Sequence, residues 1–205
     1  MESECNLNWK NSIKLAIRNI LDPVVTLISQ MGIPPVAITI AGVLISLVGA
    51  FLVAGGSLVA GAVILLIAGL CDTVDGSLAR KEHKVTDFGA FIDSTGDRIT
   101  EIAYFGGLIF YYLDSPANRF HIFFILIALA GSLLTSYTRA RAEGLGMECT
   151  VGLLERPERI VLLIVGLLLN SFVLTGVIIV LALLTVITFL QRVIHVRRLT
   201  ARNDL

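Results

Sequence analysis

The chain has 205 residues, of which 56% are hydrophobic and 16% charged, and its mean hydropathy is +0.86. That is too apolar for an ordinary soluble domain. The formal net charge is zero, no nucleic-acid partner is expected, and the informative feature is where the charges fall.

Residues 9–28 are predicted to form an amphipathic helix, with Lys10, Lys14 and Arg18 along one face and Trp9, Ile13, Ile17 and Ile20 along the other. Such a helix lies in the membrane interface with its basic side to anionic headgroups. A merely solvated helix is the alternative, and Trp9 beside the apolar stripe argues for the interface. Ile33-Pro34-Pro35 then breaks the chain. Pro35 opens the next helix, because a first helical residue needs no partner for a backbone N–H.

Apolar runs near the roughly 20 residues that span a bilayer fall at 34–54, 58–79, 88–113, 119–138, 157–170 and 173–191. Short turns with breaker residues separate them at Gly55-Gly56-Ser57, Asp114-Ser115-Pro116-Ala117 and Asn170-Ser171. The stretch 160–191 is nearly continuous. A single span there would be too long and would put Arg192, Arg197, Arg198 and Arg202 outside, so two are expected. The predicted fold is an all-α integral membrane protein, with six transmembrane helices plus an N-terminal interfacial amphipathic helix in a single domain over 1–205.

Of the 16 Lys and Arg residues, only Arg119 lies on the side of those turns. By the positive-inside rule both termini face the cytoplasm, which suits a multi-pass protein of the plasma membrane. Cys5, Cys71 and Cys149 are odd in number and all on the cytoplasmic side, so no disulfide framework is expected. Neither a cleavable signal peptide nor a repeat is evident, since the first strongly apolar run starts near residue 33.

The second and third spans carry Asp72-x2-Asp75-Gly76-x2-Ala79-Arg80-x8-Gly89-x3-Asp93-x3-Asp97. Residues three or four apart share a helix face, so Asp72 and Asp75 converge on one helix and Asp93 and Asp97 on the next. Ionised groups near hydrocarbon are costly unless something offsets them. Hard cations that prefer oxygen, Mg²⁺ above all, do so, and four carboxylates suffice for two ions clamping a phosphoryl transfer. Gly76 lets a diphosphate approach the helix backbone, and Ala79 leaves room for a flat base. Arg80 is placed to pair with phosphate oxygens; simple anchoring at the positive side is the bland alternative. Gly89 and Gly96 offer close-packing surfaces for the two helices. In the polar loop between them His83 reads as a bystander, and Thr86 as a cap for the following helix. Arg98 and Glu101 read as an intramembrane ion pair or as residues facing a partner subunit. Tyr104, Tyr111 and Tyr112 read as packing and interface-belt residues.

This pattern resembles the signature of the CDP-alcohol phosphotransferase family, every fixed position of which is present. The resemblance implies displacement of CMP from a CDP-linked donor by an acceptor hydroxyl, with two divalent cations, Mg²⁺ or Mn²⁺, on the aspartates. It makes Asp72, Asp75 and Asp93 metal ligands, and Asp97 both a ligand and the base that takes the acceptor's proton. It places the donor's cytidine near Val36, Ala37, Ile38 and Thr39, where Val36 stands in place of the family's frequent Asn or Asp. The Thr39 hydroxyl is then either the polar contact or bonded to its own helix. Thr86 is likewise a cap or a contact to the donor phosphates, beside Gly76, Ala79 and Arg80. A homodimer is the family expectation.

Farther on stand Ser136-Tyr137-Thr138-Arg139-Ala140-Arg141-Ala142-Glu143 and Glu155-Arg156-Pro157-Glu158-Arg159. Arginines beyond those needed for a neutral alcohol suggest that the acceptor carries its own phosphate. The pairing looks like the phosphatidylinositol phosphate synthase branch of the family and its archaeal counterpart, which join inositol phosphate to a CDP-lipid. Carried over, Ser136, Arg139, Arg141, Arg156 and Arg192 would hold the acceptor phosphate, with Arg139 standing where the branch often has Lys. The alternatives are a phosphatidylglycerol phosphate synthase using glycerol 3-phosphate, and a membrane transporter using the aspartates as an ion site. Transporter sites lie near mid-bilayer in repeated halves, whereas these carboxylates sit toward one face.

Overall fold

The computed structural model describes residues 21–81, 86–113 and 118–203, and among these there are helices and no strand. Residues 21–30 are helical (α1), followed by α2 (Pro35–Ala54), α3 (Leu58–Lys81), α4 (Asp87–Tyr112), α5 (Arg119–Glu143), α6 (Arg156–Leu168) and α7 (Ser171–Asn203). Most of the expected interfacial helix, residues 9–20, lies outside the described residues, as do Cys5, His83 and the Asp114–Ala117 turn.

Local chemistry explains the breaks. Pro35 opens α2 as expected. Gly56, at φ 84°, closes it, with its N–H on Val53 O and the Ser57 N–H on Leu52 O at 2.9 Å; an L side chain would be strained there. Between α6 and α7 the Asn170 side-chain oxygen accepts the Val173 N–H at 3.0 Å. This N-cap turns the continuous apolar stretch 160–191 into two helices. At the start of α6, Glu158 accepts the Glu155 N–H at 2.9 Å and Pro157 occupies the first turn.

Among the described residues, four helices are long and apolar enough to cross a membrane: α2, α3, α5 and α7. The large apolar side chains they leave outside, such as Phe172 at 86% exposure, fit a hydrocarbon surround rather than water. The other two expected spans differ. α4 has the length, but Asp87, Asp93, Asp97, Arg98 and Glu101 interrupt its apolar character. α6 has 13 residues, about 20 Å against a hydrocarbon core of about 30 Å. α7 runs 33 residues, about 50 Å, so it continues beyond the expected end at 191 and carries Arg192, Arg197 and Arg198 on the same rod. α5 likewise extends past 138 to Glu143.

The chain forms two compact units. The first takes the described residues of Met1–Ile45 together with Ile67–Asp97. Its core joins Leu21, Val25 and Ile28 of α1, a helical i, i+4, i+7 face, to Val74 and Leu78 of α3 and Ile38 of α2. Lys81 ties α1 down, its ammonium 2.7 Å from Thr26 Oγ1 and 3.6 Å from Asp22. The second unit takes Ser46–Leu66 and the described residues of Arg98–Leu205. Its core holds Tyr104, Leu108, Ile125, Leu167, Leu174 and Leu181, with α5 and α6 both packed on α7.

Close approach in the second unit depends on missing side chains. A Cβ at Gly107 would lie 2.5 Å from the Ala50 carbonyl oxygen, whereas one at the adjacent Gly106 would meet nothing within 4 Å. Gly107→Ala is therefore expected to destabilise the protein by about 1–3 kcal/mol through overpacking against backbone. Gly106→Ala should stay neutral or gain up to about 1 kcal/mol, since Ala is the better helix former. Thermal unfolding of both variants in detergent checks the contrast.

Candidate functional site

The site lies in the first unit, where three helical segments converge. The last turns of α3 carry Asp72 and Asp75 at i, i+3, and α4 brings Asp93. One carboxylate oxygen from each of these three lies within 4.8 Å of the others; Asp75 is buried and the other two half-buried. Asp97, one turn farther along α4, is not part of this cluster. Three of the four expected ligands are thus assembled, and the fourth follows on the same helix.

Small residues let these helices meet. A Cβ at Gly96 would fall 2.7 Å from Val43 Cγ2, and one at Gly42 3.3 Å from Cys71 Cβ, so α4 and α3 each lie close against α2. The start of α4 is set by Thr86, whose Oγ1 accepts the Gly89 N–H at 3.0 Å. That is the expected N-cap.

Thr39 makes the bond to its own helix that one sequence reading offered, and a second bond that neither did. Its hydroxyl donates to Asp75 Oδ2 at 2.6 Å and lies 3.3 Å from Pro35 O on its own helix. The short bond to a carboxylate is the stronger of the two. It orients the Asp75 carboxylate, the usual arrangement of a side chain supporting a metal-binding group.

Beside the aspartates opens a cavity of about 900 Å³. Val36, Thr39, Gly76, Ala79, Arg80 and Thr86 line it as the sequence suggested. Ala37 and Ile38 do not, because successive helix positions point about 100° apart; Ala37 is exposed and Ile38 packs on the first unit's core. Pro34, Pro35, Thr73 and Ala90 also line it. Sequence reasoning missed these four, although Pro34 and Pro35 flank the predicted contacts. The space over Gly76 is shared with Arg80: a Cβ there would lie 3.5 Å from Arg80 Nη1, and Arg80 Nη2 donates to Ser77 Oγ at 3.3 Å. The glycine accommodates the guanidinium as well as any ligand.

The other expected residues belong to the second unit. Arg141 is exposed, and Ser136 and Arg156 are half-buried. Arg139 pairs with Glu143 at 2.8 Å. Arg192 is 4% exposed, donating to Thr135 O at 2.6 Å and Val151 O at 2.9 Å. Its guanidinium ties α5 and the following loop to α7. Glu101, read with Arg98 as an intramembrane ion pair or as facing a partner subunit, pairs with the buried Arg159 of α6 at 2.9 Å. A contact between residues 58 apart leaves no local spacing to read. Tyr104 is a packing residue as expected, 1% exposed, with its hydroxyl donating to Gly61 O. Cys71 and Cys149 are free.

Three hard oxygen ligands on two helices, one steadied by a hydroxyl, fit a divalent cation that keeps further positions for water or phosphate. A cavity with an arginine and small side chains beside them fits an anionic, flat-ended ligand.

Comparison with known proteins agrees with this chemistry. Residues 32–194 match the family described as CDP-alcohol phosphatidyltransferase. The chain is 37% identical over 198 residues to an archaetidylinositol phosphate synthase of Methanothermobacter thermautotrophicus, covering 94% of this chain and 96% of that one. It is similar to the crystal structure of Mycobacterium tuberculosis phosphatidylinositol phosphate synthase with CDP-DAG bound, with a TM-score of 0.81, 34% identity and coverage of 87% and 94%. The same synthase in complex with manganese and citrate superposes with a TM-score of 0.80 at 34% identity, covering 85% and 87%.

Thr39→Val removes the hydroxyl but keeps the shape. Divalent-ion affinity is expected to fall by about 10–100-fold, read by Mn²⁺ titration of the purified protein.

Proposed function

Because the chain belongs to the CDP-alcohol phosphatidyltransferase family, we propose that it transfers a phosphatidyl-type group from a CDP-lipid to a hydroxyl of an inositol phosphate, releasing CMP. The observation that carries this reading is the convergence of Asp72, Asp75 and Asp93 beside a cavity large enough for a nucleoside diphosphate. Relatives named archaetidylinositol and phosphatidylinositol phosphate synthase support the acceptor.

The CDP moiety occupies the cavity, its base against Ala79 near Val36 and Thr39, and its diphosphate over Gly76 within reach of Arg80 and Thr86. Asp97, next to the cluster rather than in it, takes the proton of the acceptor hydroxyl. The hydroxyl oxygen bonds to the lipid-side phosphorus as the bond to the CMP oxygen breaks, and CMP leaves with that electron pair. Two divalent cations, Mg²⁺ or Mn²⁺, held by Asp72, Asp75, Asp93 and Asp97, supply the positive charge that offsets the diphosphate and the leaving group. The acceptor's phosphate is held by Ser136, Arg139, Arg141 and Arg156, with Arg192 contributing what its two backbone bonds leave over.

We read the whole chain as one membrane domain of the plasma membrane, with termini and site cytoplasmic. α4 and α6 complete six spans, α6 together with the extended residues before it. Two backbone groups there find partners within the protein, as a membrane setting requires: the Leu154 N–H donates to Thr188 Oγ1 and Val151 O accepts from Arg192. A helix over 9–28 lies in the interface, and the protein works as a homodimer.

CMP release from CDP-diacylglycerol or its ether-linked analogue is expected with inositol phosphate, to vanish on chelation, and to return with Mg²⁺ or Mn²⁺. Activity with glycerol 3-phosphate alone would overturn the acceptor. Arg156→Ala should raise the KM for inositol phosphate by about tenfold or more while the donor KM holds.

A further inference from the structure

Glu101 and Arg159 form a buried ion pair that the proposed chemistry does not use. Arg159 gives both Nε, at 3.0 Å, and Nη2, at 2.9 Å, to Glu101 Oε1, and their side chains are only 5% and 7% exposed. The Arg159 Nη1 also reaches Leu154 O at 3.4 Å. Burying two charges is costly, and such a pair is weak evidence for stability, because apolar residues often serve as well. Its location suggests a different use.

Arg159 lies three residues after Arg156, one turn along the same side of α6. Farther along, Leu163, Ile164 and Leu167 anchor α6 in the core. At the first turn Leu154 and Ile160 also meet that core, beside a small pocket of about 20 Å³ lined by Glu101, Tyr104, Phe105, Arg159, Ile160 and Leu163. Apolar contact is non-directional and does not by itself fix one orientation of the helix. The forked bond from Arg159 to Glu101 does, and it joins α6 to the part of α4 that lies in the same unit.

We infer that the Glu101–Arg159 pair is a positioning element for acceptor recognition, holding the first turn of α6, and with it Arg156, in register with α4. This rests on the reading of Arg156 as an acceptor-phosphate ligand. Neither residue touches substrate. Their effect is on where the Arg156 guanidinium stands, and small displacements of a binding group have large kinetic effects.

The test compares Glu101→Gln, which keeps shape but not charge, and Arg159→Lys, which keeps charge but not the two-point fork. KM is measured for inositol phosphate and for CDP-diacylglycerol separately, alongside thermal unfolding. In both variants the acceptor KM should rise by about tenfold while the donor KM stays within about twofold. If Glu101→Gln does not fold, Arg159→Lys decides by the same criterion. Unchanged acceptor KM, or equal changes in both constants, overturns the proposal and leaves a purely structural pair. Arg156→Ala separates this from failure of the underlying reading: if that variant also leaves the acceptor KM unchanged, the acceptor assignment falls, whereas a raised KM there with none in the pair variants condemns the positioning role alone.

Discussion

Three carboxylates within 4.8 Å of one another are the constraint to which the first unit answers. At an effective dielectric constant of 20, each like-charged pair at such a distance repels by about 3 kcal/mol, so nothing in the folded chain would hold them together for its own sake. What does so is a scaffold built around the repulsion. Val25, Val74 and Leu78 bury one side of α3, Thr86 sets where α4 begins, and Thr39 spends its hydroxyl on one carboxylate. A cluster kept at that cost points to a ligand whose charge balances it, and hard oxygen donors with room beside them point to a divalent ion and phosphates.

The same unit shows how small residues let its helices approach. Gly42 and Gly96 sit where a Cβ would press on a neighbouring helix, whereas one at Gly76 would make only ordinary contact with the Arg80 guanidinium. In a bilayer, where lipid tails compete equally for apolar surface, such close backbone approach replaces the hydrophobic effect as the means of packing. The site and the packing therefore draw on the same residues, which ties the geometry of the carboxylates to the stability of the helices bearing them.

In the second unit buried arginines take over part of that task. Arg192 spends its donors on carbonyls of α5 and the loop before α6, and Arg159 on Glu101. Arg141 stays exposed, and the half-exposed Arg139 is paired with its neighbour Glu143. Residues of one type within one stretch of the sequence pattern thus divide into those that hold the fold in place and those left facing outward. Only burial distinguishes them.

Local information in the sequence determined the helical class, the Pro35 and Asn170 boundaries, the Thr86 cap and the pairing of Asp72 with Asp75, since each depends on residues within about one helical turn of one another. Family resemblance to a fixed spacing supplied the chemistry. What only the tertiary structure decided involves partners far apart in the chain: Thr39 turned to Asp75, Ile38 turned away from the cavity, Glu101 joined to Arg159, and Arg192 drawn inward onto carbonyls. Helix periodicity states which residues share a face, but which face meets which neighbour is settled by packing among helices, and a hydroxyl or guanidinium finds its acceptor only once that packing is in place.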